Sequence, residues 1–196
     1  MNAFYRMMLM ALLLGALFLF KVAYAEQEGE EEYKFTDYSA LLALLPNSKL
    51  SLAEGIKQST KGTETPISAK FELDDSGKLS LSIYTAEKGL SVEPEKNVLK
   101  ELAGSPEQAS WTPETEVFKD VEHVARSSEH LVLTALSRRS LLAVVNDAAA
   151  RSGGTVYSIT PALEGRKPVF VVLVAQDDKV SKLTYDIPSG KFLARK

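Results

Sequence analysis

In the first half of the chain, apolar residues alternate with polar ones at Ala69, Phe71 and Leu73 and again at Leu79, Leu81 and Ile83, with DDSGK between the two runs. Period-two alternation around Asp and Gly predicts a hairpin with one dry face. A second set of strands is predicted further on. It comprises Val156 to Pro161, the unbroken apolar run Val169 to Ala175, and a third run in which Leu183, Tyr185 and Ile187 share one face while Lys182, Thr184 and Asp186 share the other. The middle run, apolar on both faces, reads as a central strand. The third stops at Ile187-Pro188-Ser189-Gly190, which fits a β-turn with proline second and glycine fourth. Asp186 is expected to accept backbone N–H groups of that turn, and Phe192-Leu193 to fold back as a short apolar tail.

The helical period is clearest at Leu141, Leu142, Val145, Ala148 and Ala149, one face of an amphipathic helix with Ser140 placed to cap it and Gly153-Gly154 to end it. An earlier stretch has the same start with a thinner apolar face, Leu52, Ala53 and Ile56, and Gly55 weakens it by about 0.8–1 kcal/mol relative to Ala. Laid over one another, residues 51–86 and 140–175 share a Ser-Leu start, a helical stretch, a Gly-containing break and strands. Residues 33–48 and 118–137 each read as a helix leading into one copy. The fold class expected is α+β, with two tandem modules at 33–103 and 118–196. Each would pack one or two helices on a small antiparallel sheet of about three strands. The linker between them, 104–117, contains Trp111, which is expected to pin it.

The chain opens with Arg6, an apolar run from Met7 to Phe20 and the small-x-small pattern Ala23-Tyr24-Ala25. This is the plan of a secretory signal peptide, with cleavage expected after Ala25. The run is shorter than the roughly 20 residues a spanning helix needs, so no stable membrane insertion is expected after cleavage. The chain has no cysteine, which excludes attachment through a lipobox cysteine and leaves folding to ordinary packing. Residues 26–32, with five glutamates, read as a solvated, disordered segment. The formal net charge is −3 and becomes more acidic when Arg6 and Lys21 leave with the signal, which argues against nucleic acid as a partner. The compartment expected is the periplasm or the medium.

Candidate chemistry is sparse. The chain shows no Ser/His/Asp arrangement with supporting context, no glycine-rich phosphate loop and no Cys/His cluster, so no catalytic, cofactor-binding or metal residue is assigned and no enzymatic activity is expected. The only two histidines, His123 and His130, are seven residues apart on the helix expected at 118–137. Seven helical residues rise about 10.5 Å, too far for both imidazoles to hold one ion. The simpler reading is a solvated face with Glu122 and Arg126 at i, i+4, while Val121, Val124, Leu131 and Leu133 help bury the rest. Both histidines are kept as candidate interaction residues. The alternation of the first hairpin places Lys70, Glu72, Lys78, Ser80 and Ser82 on a flat open surface, the main candidate interaction surface.

The order helix, three antiparallel strands and closing Tyr-Asp-Ile-Pro-Ser-Gly-Lys resembles the PepSY domain of secreted peptidase propeptides and stand-alone exported bacterial proteins. The resemblance rests on Ser140-Leu141, Ala148-Ala149-Ala150, Gly153-Gly154-Thr155-Val156-Tyr157, the strand 169–175, and Asp186 with Gly190. It covers residues 138–193 well. Over 49–100 it is weaker, since GLSVEPEKNVLKEL departs from the family's Asp-x-x-x-Gly ending and leaves the third strand of the first copy undefined. The family supplies no catalytic residues. What it implies is a non-enzymatic exported protein that binds an extracytoplasmic protease or another protein, with inhibition of a bound protease as the expected effect. The alternation of the first hairpin adds the expectation that one sheet face or an edge strand is offered to that partner. The alternative class is a small-ligand carrier or sensor with an apolar cleft between the modules.

Overall fold

The alternating runs fold as strands, and their register shows why. The computed structural model describes residues 38–196 except Ala109 and Asp178. The export segment predicted for 1–25, the acidic stretch 26–32 and the beginning of the helix expected from residue 33 therefore lie outside the described residues. Strand β1 (Thr65–Leu73) pairs antiparallel with β2 (Leu79–Ala86), placing Ala69 opposite Ile83 and Phe71 opposite Leu81. Asp74 closes the turn by accepting the backbone N–H groups of Ser76 and Lys78 at 2.9 Å each. Strand β3 (Leu99–Gly104) pairs with β2 and supplies the third strand that the sequence left undefined. Strand β4 (Glu114–Val117), inside the stretch expected to be linker, pairs with β3. In the second half β5 (Thr155–Glu164), β6 (Lys167–Gln176), β7 (Lys179–Asp186) and β8 (Phe192–Arg195) form a meander, so Phe192 and Leu193 belong to a strand.

The expectation of two tandem modules, each with its own small sheet, is overturned. β1 also pairs with β5, through Ala69 with Ile159 and Lys70 with Ser158. One eight-stranded antiparallel sheet results, in the order β4-β3-β2-β1-β5-β6-β7-β8. The reason is that a three-stranded module would leave β1 and β5 each with an unpaired apolar edge, and such edges seek partners. In the sheet Ile67 and Ile159 are fully buried. The α+β character of the expectation stands, with four α-helices alongside the sheet among the described residues: α1 (Ser39–Leu44), α2 (Leu52–Ser59), α3 (Val121–Ala135) and α4 (Leu141–Ser152).

Helices α2 and α4 cover one face, called the front, where Ile56 and Val144 join Phe71, Leu81, Ile159 and Val172 in the main core. Helix α2 begins at Ser51, whose Oγ accepts the Glu54 N–H at 3.2 Å while the Glu54 carboxylate accepts the Ser51 N–H at 2.8 Å. Gly55 permits the helix to sit close on β2, since a Cβ there would lie 2.5 Å from Leu81 Cδ2. Helix α4 is capped by Ser140 and ends at Gly153 with φ 69°. The next residue, Gly154, passes so near β6 that a Cβ would lie 2.5 Å from the Ala175 carbonyl oxygen.

Helix α3 crosses the back face, where Leu131 packs with Ile67, Ala86, Leu99 and Phe118. Val121 and Val124, expected to help bury this helix, are instead exposed. Residues 121–126 are exposed throughout, so the first turns of the helix lie clear of the core, and burial begins at Ser127.

The turn after β7 is one residue wider than the four-residue turn expected. The Gly190 N–H donates to the Asp186 carbonyl at 2.7 Å, and the Asp186 carboxylate accepts the Ser189 hydroxyl at 2.5 Å and the Ser189 N–H at 2.8 Å, which together, the hydroxyl foremost, hold its pKa below the usual carboxylate value. Gly190, at φ 66°, sits against the Arg139 side chain. That guanidinium donates to the Gly190 carbonyl at 3.1 Å and to the Ala143 carbonyl at 2.9 Å, tying the C-terminal turn to α4.

Candidate functional site

The sheet ends on one side at β4, and Trp111 explains how the chain gets there. Its indole N–H donates to the Gly104 carbonyl at 3.3 Å, and the ring is buried in the front core. This folds the connection after β3 back on itself, so that residues 114–117 run beside the strand they have just left. The pinning role expected of Trp111 thus creates a strand rather than a linker. All four residues of β4 are exposed, and no described strand covers its outer edge. The pairing places Thr115 opposite Leu102 and Val117 opposite Lys100 on the front, and Glu116 opposite Glu101 and Glu114 opposite Ala103 on the back. Like charges directly opposite on a sheet face destabilise by roughly 0.2–1 kcal/mol, and Glu101 and Glu116 stand in that relation.

On the front face, a cleft of about 620 Å³ opens between the end of α2 and the β3–β4 edge, walled by Gln58, Lys61, Lys100, Leu102, Trp111 and Thr115. This is within the range typical of ligand pockets, about 300–1,000 Å³. Its floor is electrostatically closed. Lys100 Nζ lies 3.0 Å from a Glu87 carboxylate oxygen and 3.3 Å from Glu64, and Thr85 Oγ1 donates to Glu64 at 2.6 Å. Burial opposes the Lys100 charge, but the two carboxylates outweigh it and hold its pKa above the ordinary lysine value. What the cleft offers a visitor is therefore its Leu102–Trp111 wall and the exposed Lys61 at its rim.

The cleft expected between the halves is smaller. A groove of about 290 Å³ brings Thr155 of β5 against Leu45, Leu50 and Phe71 of the first half.

The residues singled out by the alternation of the first hairpin do share the back face, but not as a uniformly open surface. Ser82 and Ser80 are buried, Lys70 and Glu72 are half-buried and Lys78 is exposed. Lys70 Nζ lies 2.5 Å from the Glu72 carboxylate and 5.6 Å from the centre of the Tyr84 ring. Burial opposes the Lys70 charge, but Tyr84 and Glu72 raise its pKa overall, and burial pushes the Tyr84 hydroxyl up to about 12.

The histidines have separate surroundings. His123 is exposed, with Nδ1 2.9 Å from the Asp120 carboxylate and its ring stacked on Phe118. His130 is buried against β1, with Nδ1 3.1 Å from Ser68 Oγ, and burial, with Arg126 and Lys70 adding to it, lowers its pKa to about 4. Among the described residues, no group of three or more His, Cys, Asp or Glu side chains is placed to hold a metal ion, and no helix is long and apolar enough to cross a membrane.

The sequence reading missed β4 and its carboxylates. The signal was there in Glu114-Thr115-Glu116-Val117, an alternation rich in β-branched residues, but Pro, Ser and Gly around it marked the stretch as a connection.

Comparison with known proteins adds little to this geometry. No family model matches the chain, and no curated protein matches it. Among solved structures, the chain is similar to that of a candidate lipoprotein from Clostridium difficile 630, at 13% identity and a TM-score of 0.35, over 68% of this chain and 82% of the other. A likeness of that size carries no argument about fold or function, so the site is read from its own residues.

Proposed function

We propose that the protein is an exported, non-enzymatic binding protein that takes up an extended segment of a protein partner along the free edge of β4. The observation that carries this reading is β4 itself, a short strand exposed at all four residues and uncovered on its outer side by any described strand. Such an edge presents unpaired backbone N–H and C=O groups in the spacing that an added strand needs. The cleft beside Thr115 gives one side chain of that segment a place to enter. The PepSY-like stretch at 138–193 and the signal-like beginning of the chain make an extracytoplasmic protease the first partner to test.

The test is hydrogen exchange on the protein with and without a partner captured from the envelope of its own cells. The reading expects slowed exchange at residues 114–117 in the complex. Protection confined to other parts of the sheet would overturn it, as would the failure of any protein to be retained.

A second reading, a small-ligand carrier, is favoured by the volume of the Trp111 cleft alone. It places the ligand within the first half of the sheet rather than between the halves. Native mass spectrometry of the protein purified from its cells tests it, since a carrier retains a bound small molecule and an edge binder does not.

A further inference from the structure

We infer that the segment taken up along β4 alternates basic and apolar side chains, the basic ones lying over Glu114 and Glu116 and the apolar one between them entering the cleft beside Trp111. The inference rests on the edge-binding reading and adds the chemistry of the partner. It follows from the two-residue period of a strand. A segment laid beside β4 must present successive side chains to opposite faces, in step with Glu114, Thr115 and Glu116.

On the back face those neighbours are acidic. Glu114 and Glu116 project there with Glu101, which stands directly opposite Glu116. None of the three makes an ion pair with a described residue. The β3–β4 pairing thus sets two like-charged residues directly opposite each other at the free edge, an arrangement that disfavours the sheet and that a lysine or arginine arriving on the next strand offsets. On the front face the neighbour is Thr115, and behind it lies the Leu102–Trp111 wall. Lys100 is already engaged by Glu64 and Glu87, so the floor of the cleft offers no free cation to an acidic visitor, and the exposed cation of its lining, Lys61, stands at the rim. An aliphatic side chain fits that wall. The free edge gives the docking, the cleft fixes the register and the carboxylates set the sign.

The test uses three peptides of eight residues with the protein purified as its cells make it. One alternates Lys and Val, one alternates Glu and Val, and one has the Lys and Val of the first gathered into two blocks. Trp111 is the only tryptophan of the chain, so its fluorescence reports occupation of the cleft, and hydrogen exchange at 114–117 reports strand addition independently. The expected result is that the alternating Lys peptide binds at least about ten-fold more tightly than either of the others. Its binding weakens several-fold when salt is raised from 50 to about 200 mM, and likewise in the double variant Glu114→Gln, Glu116→Gln, whose exposed positions leave the fold intact. Equal binding of the Lys and Glu peptides, with 114–117 protected by both, would overturn the charge inference and leave the edge reading standing. Equal binding of the alternating and block peptides would mean attraction without register, and would overturn it too. If no peptide protects 114–117, the edge reading falls and the inference with it.

Discussion

Ala69 of β1 and Ile159 of β5 stand directly opposite each other, both closed off from solvent, and their pairing joins the two halves of the chain into one sheet. The halves therefore share a core, with Phe71 and Leu81 of the first in the same cluster as Val144 and Val172 of the second. Unfolding in urea, followed by circular dichroism and by Trp111 fluorescence, is expected to show one transition with coincident midpoints. Ile159→Ala should lower stability by about 2–5 kcal/mol while keeping a single transition. Two separated transitions would restore two independent modules.

His130 makes stability depend on pH. Its folded-state pKa, about 4, lies below the ordinary histidine value of 6.5 because burial opposes its charge, with Arg126 on its own helix and Lys70 on β1 adding to the effect. The unfolded chain binds the proton first as pH falls, so the stability contributed by neutral His130 is fully present above pH 6.5. It is lost between about 6.5 and 4 and amounts to about 3 kcal/mol. The carboxylates with lowered values, such as Asp147 and Asp186, give up their contributions below 3.8. His130→Gln, which retains a hydrogen bond for Ser68, should flatten the stability curve in that window. Urea midpoints at pH 7, 5.5 and 4.5 for both forms check this.

Gly154→Ala and Gly55→Ala separate two kinds of close approach. At Gly154 the new methyl meets the Ala175 carbonyl oxygen, which belongs to the β6 backbone, so the loss should be at least about 3 kcal/mol. At Gly55 it meets the end of the Leu81 side chain. There about 1–3 kcal/mol of overpacking is partly offset by up to about 1 kcal/mol of helix propensity. Thermal melts of the two variants are expected to rank Gly154→Ala well below Gly55→Ala. The reverse order would show that α4 and β6 can part more easily than α2 and β2.

Arg139 holds the last turn. Arg139→Ala removes two hydrogen bonds to the carbonyls of Gly190 and Ala143, at a loss of about 1–3 kcal/mol. Backbone exchange should quicken at Phe192–Arg195 and stay unchanged in β1 and β2. A uniform acceleration over the whole sheet would mean that the turn is part of the global core rather than a local clasp.

Much of this fold was legible wherever one local pattern decided the outcome. Alternation located β1, β2 and β7, the unbroken apolar run from Val169 to Ala175 located β6 with β5 as its partner, and Ser140 with Gly153 marked the ends of α4. For α2 the Ser-Leu start and a thin apolar face were the only signs, with Gly55 against them, and the structure adds the Ser51–Glu54 capping pair that holds it. That glycine is explained by the distance to Leu81, which no pattern in the chain displays. What stayed hidden was non-local. The β1–β5 pairing depends on two strands distant in sequence finding each other's edge, and neither strand differs in composition from one that ends a sheet. β4 is set by the hydrogen bond of Trp111 to Gly104, so a stretch with the composition of a connection becomes the outer strand. The candidate surface suffered for the same reason: the alternation placed Ser80 and Ser82 on the correct face, but only the assembled sheet shows that they are buried there.

The seam between β1 and β5 also constrains how the molecule can assemble. Every other strand pairing joins neighbours in sequence, so each can close over a short loop, while the seam must close over the whole stretch from residue 69 to residue 159. Loop-closure entropy makes such long-range pairings the late ones. Each half is therefore expected to form its meander and dock its own helix first. The free edges of β1 and β5 are exposed together only in that interval, which makes the pace of their meeting, rather than the strength of either half, what protects the newly made chain from joining its neighbours.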